Sequence, residues 1–472
     1  MTVRPHGVLV SLRPRAGAAP VVGDIAALVV SALVAPAIGA AVAIRPAAAV
    51  LPAGLLGACL LLVDARARVL FVVFGGFLTL QSSNSLGLIK LAYLAGVVVS
   101  LAGAVFALSK STDWFRRELA MPLLRGSLAV SALIGISLFV ALGHDVGRTD
   151  WLRDIAPYAL FAMAPIFALD AQWAFSRTAL VRVLVCAGVL ATISFSTYWL
   201  EQRHIANLPF SSFALSSFLV PAALVAYAIG AALHSNRGRV RWLSLAALVF
   251  ALLVVTGTRS TLILVVAPIV VAISARRYLS ARFFRLVVVA PLALLVTAAA
   301  TYAVIEVTDA STSVISERIT TLKESGTSGD ASYRDRQAQG DVALDVFSSS
   351  PVFGGGPGTY FNWTVANGEK RSAFIIDTPI AFPAKFGIVG LGVLAFLIAS
   401  YASFLRSVFR LNHPSPETLA LAAYAAMGIA VSFLTNPLED KGWTLGLVLL
   451  LALVLQAAPE RASVRSEPMG PR

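Results

Sequence analysis

Apolar runs long enough to cross a bilayer alternate with short polar breaks along nearly the whole chain, from residue 25 to residue 458. The breaks predict about fourteen spans, at 25–44, 46–63, 67–80, 86–108, 126–142, 155–170, 178–200, 208–233, 242–257, 260–274, 284–305, 379–404, 418–435 and 441–458. The third and sixth are short or interrupted, and only Arg45-Pro46 separates the first two, so the count lies between twelve and fourteen. One stretch breaks the rhythm: Glu306 to Asp377 is polar and lies between two of the most apolar regions. Inside it, Ile315, Ile319 and Leu322 recur at helical spacing, as do Ala338, Val342 and Val346, which predicts two amphipathic helices lying on a membrane surface. The run Gly354–Gly358 ends the second of these and turns the chain.

The pattern predicts an all-α, polytopic membrane protein. Its parts are an N-terminal tail (1–24), eleven spans (25–305), a large loop (306–378), three further spans (379–458) and a polar tail (459–472). Composition agrees, since 58% apolar and 13% charged residues exclude a soluble globular fold. A net charge of +13 could suggest nucleic acid, but the basic residues sit in short clusters between apolar segments, as topology signals do. With the loops numbered alternately, one side collects 23 basic residues while the short loops of the other hold six: Arg45, Arg148, Arg153, Arg203, Arg259 and Lys441. This bias makes both termini cytoplasmic and turns the 306–378 loop, with Arg259, outward. Cys59 and Cys186 fall inside apolar segments, and His144 and His204 lie in separate loops, so neither a disulfide nor a metal site is expected.

Candidate chemistry gathers on the outward side. Arg259 is either a loop arginine snorkelling to headgroups or an anion ligand whose planar fork grips phosphate oxygens. Arg334 and Arg336 admit the same two readings, as solvated helix charges or as partners of Arg259 in a cationic pocket. Gly355, Gly356 and Gly358 could offer backbone N–H groups to an anion or simply make a turn; the run matches neither a P-loop nor a dinucleotide fingerprint. Lys90 and Lys385, a turn or two inside their spans, either snorkel or touch substrate. Asp377, Asp341, Asp345 and Glu306 are the carboxylates available as a base.

Three of these features together resemble the O-antigen ligase/polymerase superfamily of bacterial cell-envelope glycosyltransferases. They are the Gly257-Thr258-Arg259-Ser260 hairpin, the arginine-bearing helix running into Pro351-Val352-Phe353-Gly354-Gly355-Gly356-Pro357-Gly358, and the re-entry segment Phe386-Gly387-Ile388-Val389-Gly390-Leu391-Gly392. The resemblance covers roughly residues 240 to 405. It implies a GT-C-like helical fold in the bacterial cytoplasmic membrane and a polyprenyl-diphosphate-linked oligosaccharide donor. It also implies a glycan acceptor, no cofactor or metal, and a chain-length regulator and a flippase as further candidate partners. By position, Arg259 and Arg334 would hold the diphosphate. Ligases of this family carry a His-Asn pair where this chain has Asp377-Thr378. The departure favours a polymerase, or a ligase with an unfamiliar acceptor, with Asp377 as base. A transporter or flippase is the alternative from another class. It would need ionisable groups at midplane depth, whereas the pattern places them at span ends.

Overall fold

A computed structural model describes residues 50–80, 87–110, 114–202, 215, 217–235, 238–255, 264, 267, 269–271, 331–365, 368–373, 378–411, 415–433 and 436–458. The expected spans at 25–44 and 284–305, the amphipathic helix around Ile315–Leu322, and Arg259, Glu306 and Asp377 lie outside these residues. The chain divides into two compact units, Met1–Leu60 and Leu61–Arg472. In the first, the described residues belong to helix α1 (Val50–Val63).

Among the described residues, the apolar part of the second unit is helical. It begins with α2 (Ala65–Leu70), a π-helical turn (Phe71–Gly75) and α3 (Gly76–Thr79). The short third span is therefore one helical run with a π-bulge inside it, not a broken one. There follow α4 (Leu88–Lys110), α5 (Trp114–Gly143), α6 (Arg148–Ala174), α7 (Arg177–Gln202), α8 (Leu219–His234) and α9 (Arg239–Val255). After the polar segment come α11 (Ala381–Leu411), α12 (Pro416–Ser432) and α13 (Lys441–Ala457). Among the described residues, five helices are long and apolar enough to cross a membrane: Leu88–Lys110, Glu118–Gly143, Arg148–Ala174, Arg177–Trp199 and Ala381–Leu411. The expected sixth span, 155–170, is much longer than its apolar core suggested, because the charged first turn of α6 is also helical.

Burial explains why these helices pack as they do. α8 and α13 are buried along nearly their whole length. α12 and α9 pack against α8, and α6 packs against α13. Around them, α4, α5 and α11 turn large apolar side chains outward, among them Val98, Phe106, Leu128, Phe139, Phe396 and Ile398. An outward apolar belt over a packed interior is the arrangement of a bundle solvated by lipid. Local chemistry fixes the helix starts. Ser415 caps α12 through the Thr418 N–H (3.2 Å) ahead of Pro416, and Asp440 caps α13 through the N–H groups of Gly442 (2.7 Å) and Trp443 (3.2 Å).

The described residues of the polar segment, 331–365 and 368–373, form a small appendage. Its helix α10 (Ala331–Ser349) was expected from the Ala338–Val346 spacing. The antiparallel hairpin of β1 (Phe361–Val365) and β2 (Gly368–Ser372) was not. Phe361 and Trp363 alternate inward from β1 and form a second, separate core with Ala343 of α10 and with Ala381 and Ala384 of α11.

Candidate functional site

The site region begins where the appendage meets the bundle. α11 is broken at Gly387, whose φ of 62° and ψ of −160° belong to a region that is almost exclusively glycine's. The break frees the Ile388 and Val389 N–H groups, and the carbonyls of Pro351 and Val352 accept them at 2.9 and 3.1 Å. The turn that follows also lies flat on α11. Gly355 donates to the Ala384 carbonyl (2.9 Å) and Gly356 to the Lys385 carbonyl (3.1 Å). Gly358 donates to Asp154 Oδ2 (2.7 Å), and Gly354, at φ 70°, donates to the Ser350 carbonyl (2.8 Å). The N–H groups weighed as an anion nest are thus donated within the protein, and the glycines are there because the chains approach too closely for side chains. A Cβ on Gly354 would lie 2.5 Å from the backbone carbon of Lys385.

Lys385, which the sequence left either snorkelling or touching substrate, sits beneath this turn with its side chain fully enclosed. Its ammonium donates to Asp154 Oδ1 of α6 (2.8 Å) and to Glu439 Oε1 just before α13 (2.9 Å). Glu439 Oε1 also accepts from the Tyr158 hydroxyl (2.7 Å) and from Asn436 Nδ2 (3.2 Å), and Asn436 Nδ2 donates to the Tyr158 oxygen as well (2.7 Å). The Tyr158 ring stands edge-on to Phe386, centroids 5.0 Å apart, which roofs the cluster with apolar surface. Sequence reasoning missed Asp154, Tyr158, Asn436 and Glu439. Asp154 stands one residue outside the predicted apolar run, and Glu439 lies in a short break between spans, so both read as boundary residues. A signal was present: carboxylates flanking apolar spans need partners, and Lys385 was an ionisable residue inside one.

On the appendage, Arg334 is exposed and Arg336 half-buried, both on α10. Asp335 between them ties the helix to the hairpin. It accepts from Trp363 Nε1 (2.6 Å) and from Lys370 Nζ (2.9 Å). Partial burial works to raise the Asp335 carboxyl, but the hydrogen bonds from Lys370 and Trp363 outweigh it and hold the group below the usual carboxylate range. Asp440 shows the opposite balance: burial raises its carboxyl despite the hydrogen bonds from Ser217, Trp443 and Gly442. Further positive charge lies beside the hairpin. The Arg371 guanidinium stacks 4.3 Å over the Tyr360 ring, and the Tyr360 hydroxyl donates to Asp150 Oδ1 (3.1 Å), which Arg153 also approaches (3.4 Å). Between the end of α5 and the turn opens a cleft of about 370 Å³, lined by Val140, Gly143, His144 and residues 350–354.

These elements gather at one end of the bundle, where α6 and α11 begin. The opposite end carries a different set of ion pairs. Arg68 grips Asp170 with two bonds of 2.7 Å, Arg66 donates to the Ala174 carbonyl (2.8 Å), and Arg177 pairs with the buried Glu417. α9 starts at that end and runs to Val255, four residues before Arg259. Among the described residues no cluster of His, Cys, Asp or Glu could hold a metal ion.

A search of curated proteins finds no match to the chain. A family model does match: residues 243–382 fit the family described as O-antigen ligase, a glycosyl-transferring type. The matched stretch contains α10, the hairpin, the glycine turn and the first residues of α11. In this helical membrane protein, residues 243–382 are thus similar to the O-antigen ligase family, and the match supports the resemblance to the O-antigen ligase/polymerase superfamily.

Proposed function

We propose that the chain is a membrane glycosyltransferase that polymerises oligosaccharide repeat units from a polyprenyl-diphosphate-linked donor at the outer face of the cytoplasmic membrane. The observation that carries this reading is the O-antigen ligase family match, which covers the appendage and ends at the second residue of α11. In this reading Arg259 and Arg334, with Arg336 beside them, hold the diphosphate. Their guanidinium groups stabilise the charge that develops as the anomeric carbon–oxygen bond to the diphosphate breaks. Asp377 takes the proton from the acceptor hydroxyl as that oxygen bonds to the anomeric carbon. The glycines and Lys385 act by shaping the frame around these groups. Lipid solvates the bundle, a chain-length regulator and a flippase work beside it, and the reaction uses no metal. The polarity of the bundle supports an outward site, since Arg66, Arg68, Arg177, Arg239 and Arg410 belong to the end opposite the appendage.

Transfer to a different acceptor, as in a ligase, is the second reading. The family description favours it, and Asp377-Thr378 in place of His-Asn disfavours it. Deleting the gene and sizing the surface glycan separates the two. A single repeat unit with no long chains marks a polymerase, and glycan stranded on the lipid carrier marks a ligase. Arg259→Lys tests the anion site, because lysine keeps the charge but loses the bidentate fork. We expect output to fall by about two to three decades, from the roughly 2–4 kcal/mol that such a contact contributes in a transition state. Unchanged glycan at equal protein level would reduce Arg259 to a topology residue.

A further inference from the structure

Lys385 joins more of the site than any other described side chain, and it does so with both its ends. Its ammonium bridges α6 and the turn before α13, through Asp154 and Glu439. Its carbonyl, with that of Ala384, receives the Gly356 and Gly355 N–H groups. Asp154 then closes the circuit by accepting from Gly358. The appendage is attached to the same few residues, because its small core includes Ala381 and Ala384. Several of the contacts that seat α10, and so Arg334 and Arg336, against the bundle therefore meet within one turn of helix, beside those of Tyr360 with Asp150 and of Pro351 and Val352 with Ile388 and Val389.

An ion cluster is a poor way to obtain stability alone. Bringing charges out of water costs several kcal/mol per ion, and well-packed apolar side chains of the same volume would often hold a fold as well or better. The formal charges here do not even balance, with two carboxylates facing one ammonium. Asp154 has partners on both oxygens, while Glu439 Oε2 has none among the described residues. What ions supply and apolar contacts do not is a fixed direction and register. Those are the properties a site built from two separately folded pieces requires.

We propose that Lys385 is the positioning residue of the candidate site: by bridging Asp154 and Glu439 it latches the Gly354–Gly358 turn, and with it the α10 appendage, onto the bundle. The latch rests on the proposed function only for its purpose, since its geometry stands independently. Glu439 is the weaker leg of the bridge, because Lys385 and Asp154 remain a neutral pair without it.

The test compares hydrogen exchange and binding of undecaprenyl diphosphate in nanodiscs. Lys385→Met should speed exchange of the 354–358 amides at least tenfold and weaken binding at least tenfold, while 219–232 stays protected. Glu439→Gln, which keeps an acceptor but removes one charged leg of the bridge, should shift both in the same direction by less. The control is Arg68→Met with Asp170→Leu, which removes an equally buried pair at the far end of α6 and should change neither reading. If Lys385→Met does not accumulate, Lys385→Met with Asp154→Asn and Glu439→Gln removes the unpaired charge and should still exchange fast at 354–358. Wild-type protection of 354–358 without Lys385 overturns the proposal, and so does an equal loss of binding in the far-end control. If the wild-type protein does not bind undecaprenyl diphosphate, the donor reading fails, and the exchange data alone decide the latch.

Discussion

Gly387→Ala is the substitution most directly tied to the site's geometry. At φ 62° and ψ −160° an alanine is strained by roughly 1–3 kcal/mol before any neighbour is considered. Its Cβ would then meet the Val352 carbonyl group and lie 2.6 Å from the Phe353 nitrogen, both backbone atoms that cannot swing aside. Relief requires the 351–353 strand of the turn to move off α11. That movement breaks the bonds from Ile388 to Pro351 and from Val389 to Val352, each contributing about 1 kcal/mol. The sum, about 3–5 kcal/mol, favours opening of this junction by about two to three decades or slightly more. Gly392→Ala is the internal control, because it lies in the same helix with open space around the added methyl. It should be neutral or stabilising by up to about 1 kcal/mol. Amide exchange over 350–360, with thermal unfolding in detergent, reads both variants. If Gly387→Ala exchanges and unfolds like wild type, or if Gly392→Ala is equally damaging, the close approach at Gly387 has been misjudged.

Three further outcomes follow from the same structure. Because the folded state holds the Asp335 carboxyl below its ordinary value of 3.8, its contribution to docking α10 on the hairpin is fully present above that pH and fades as pH falls through the lowered value. Trp363 fluorescence should report loosening below about pH 4 in wild type but not in Asp335→Asn, where the contact is weakened at every pH. Asp377→Asn keeps the side-chain shape and removes its basicity, so severe loss of glycan at normal protein level is expected; normal output would shift the base to Asp341, Asp345 or Glu306. A reporter fused after Gly340 should behave as extracytoplasmic, and cytoplasmic activity there would reverse the membrane orientation.

The helical frame was legible because apolar periodicity over twenty residues is a long signal, and the structure ends α9, α12 and α13 within a few residues of the expected bounds. α10 was legible for the same reason. The hairpin was not, since Phe361 to Ser372 alternates over only two short strands and its glycine and charged residues read as loop. Lys385 was noticed, but its ion pairs were not: position within a span distinguishes snorkelling from burial poorly when the partners lie 231 and 54 residues away. Asp154 and Glu439 each have meaning only through that pairing, and no local pattern encodes it.

α6 carries its two buried carboxylates, Asp154 and Asp170, near opposite ends and held by different neighbours, Lys385 at one and Arg68 at the other. The sixteen residue steps from one to the other span about 24 Å and turn the helix through about 160° beyond whole revolutions, so the two grips come from nearly opposite sides. A rod gripped this way can neither slide nor spin. Adding or removing one residue between the grips would rotate one against the other by about 100° and forfeit a pair. α6 is therefore the stator of the bundle. Any rearrangement of the bundle must take place in helices that move around it.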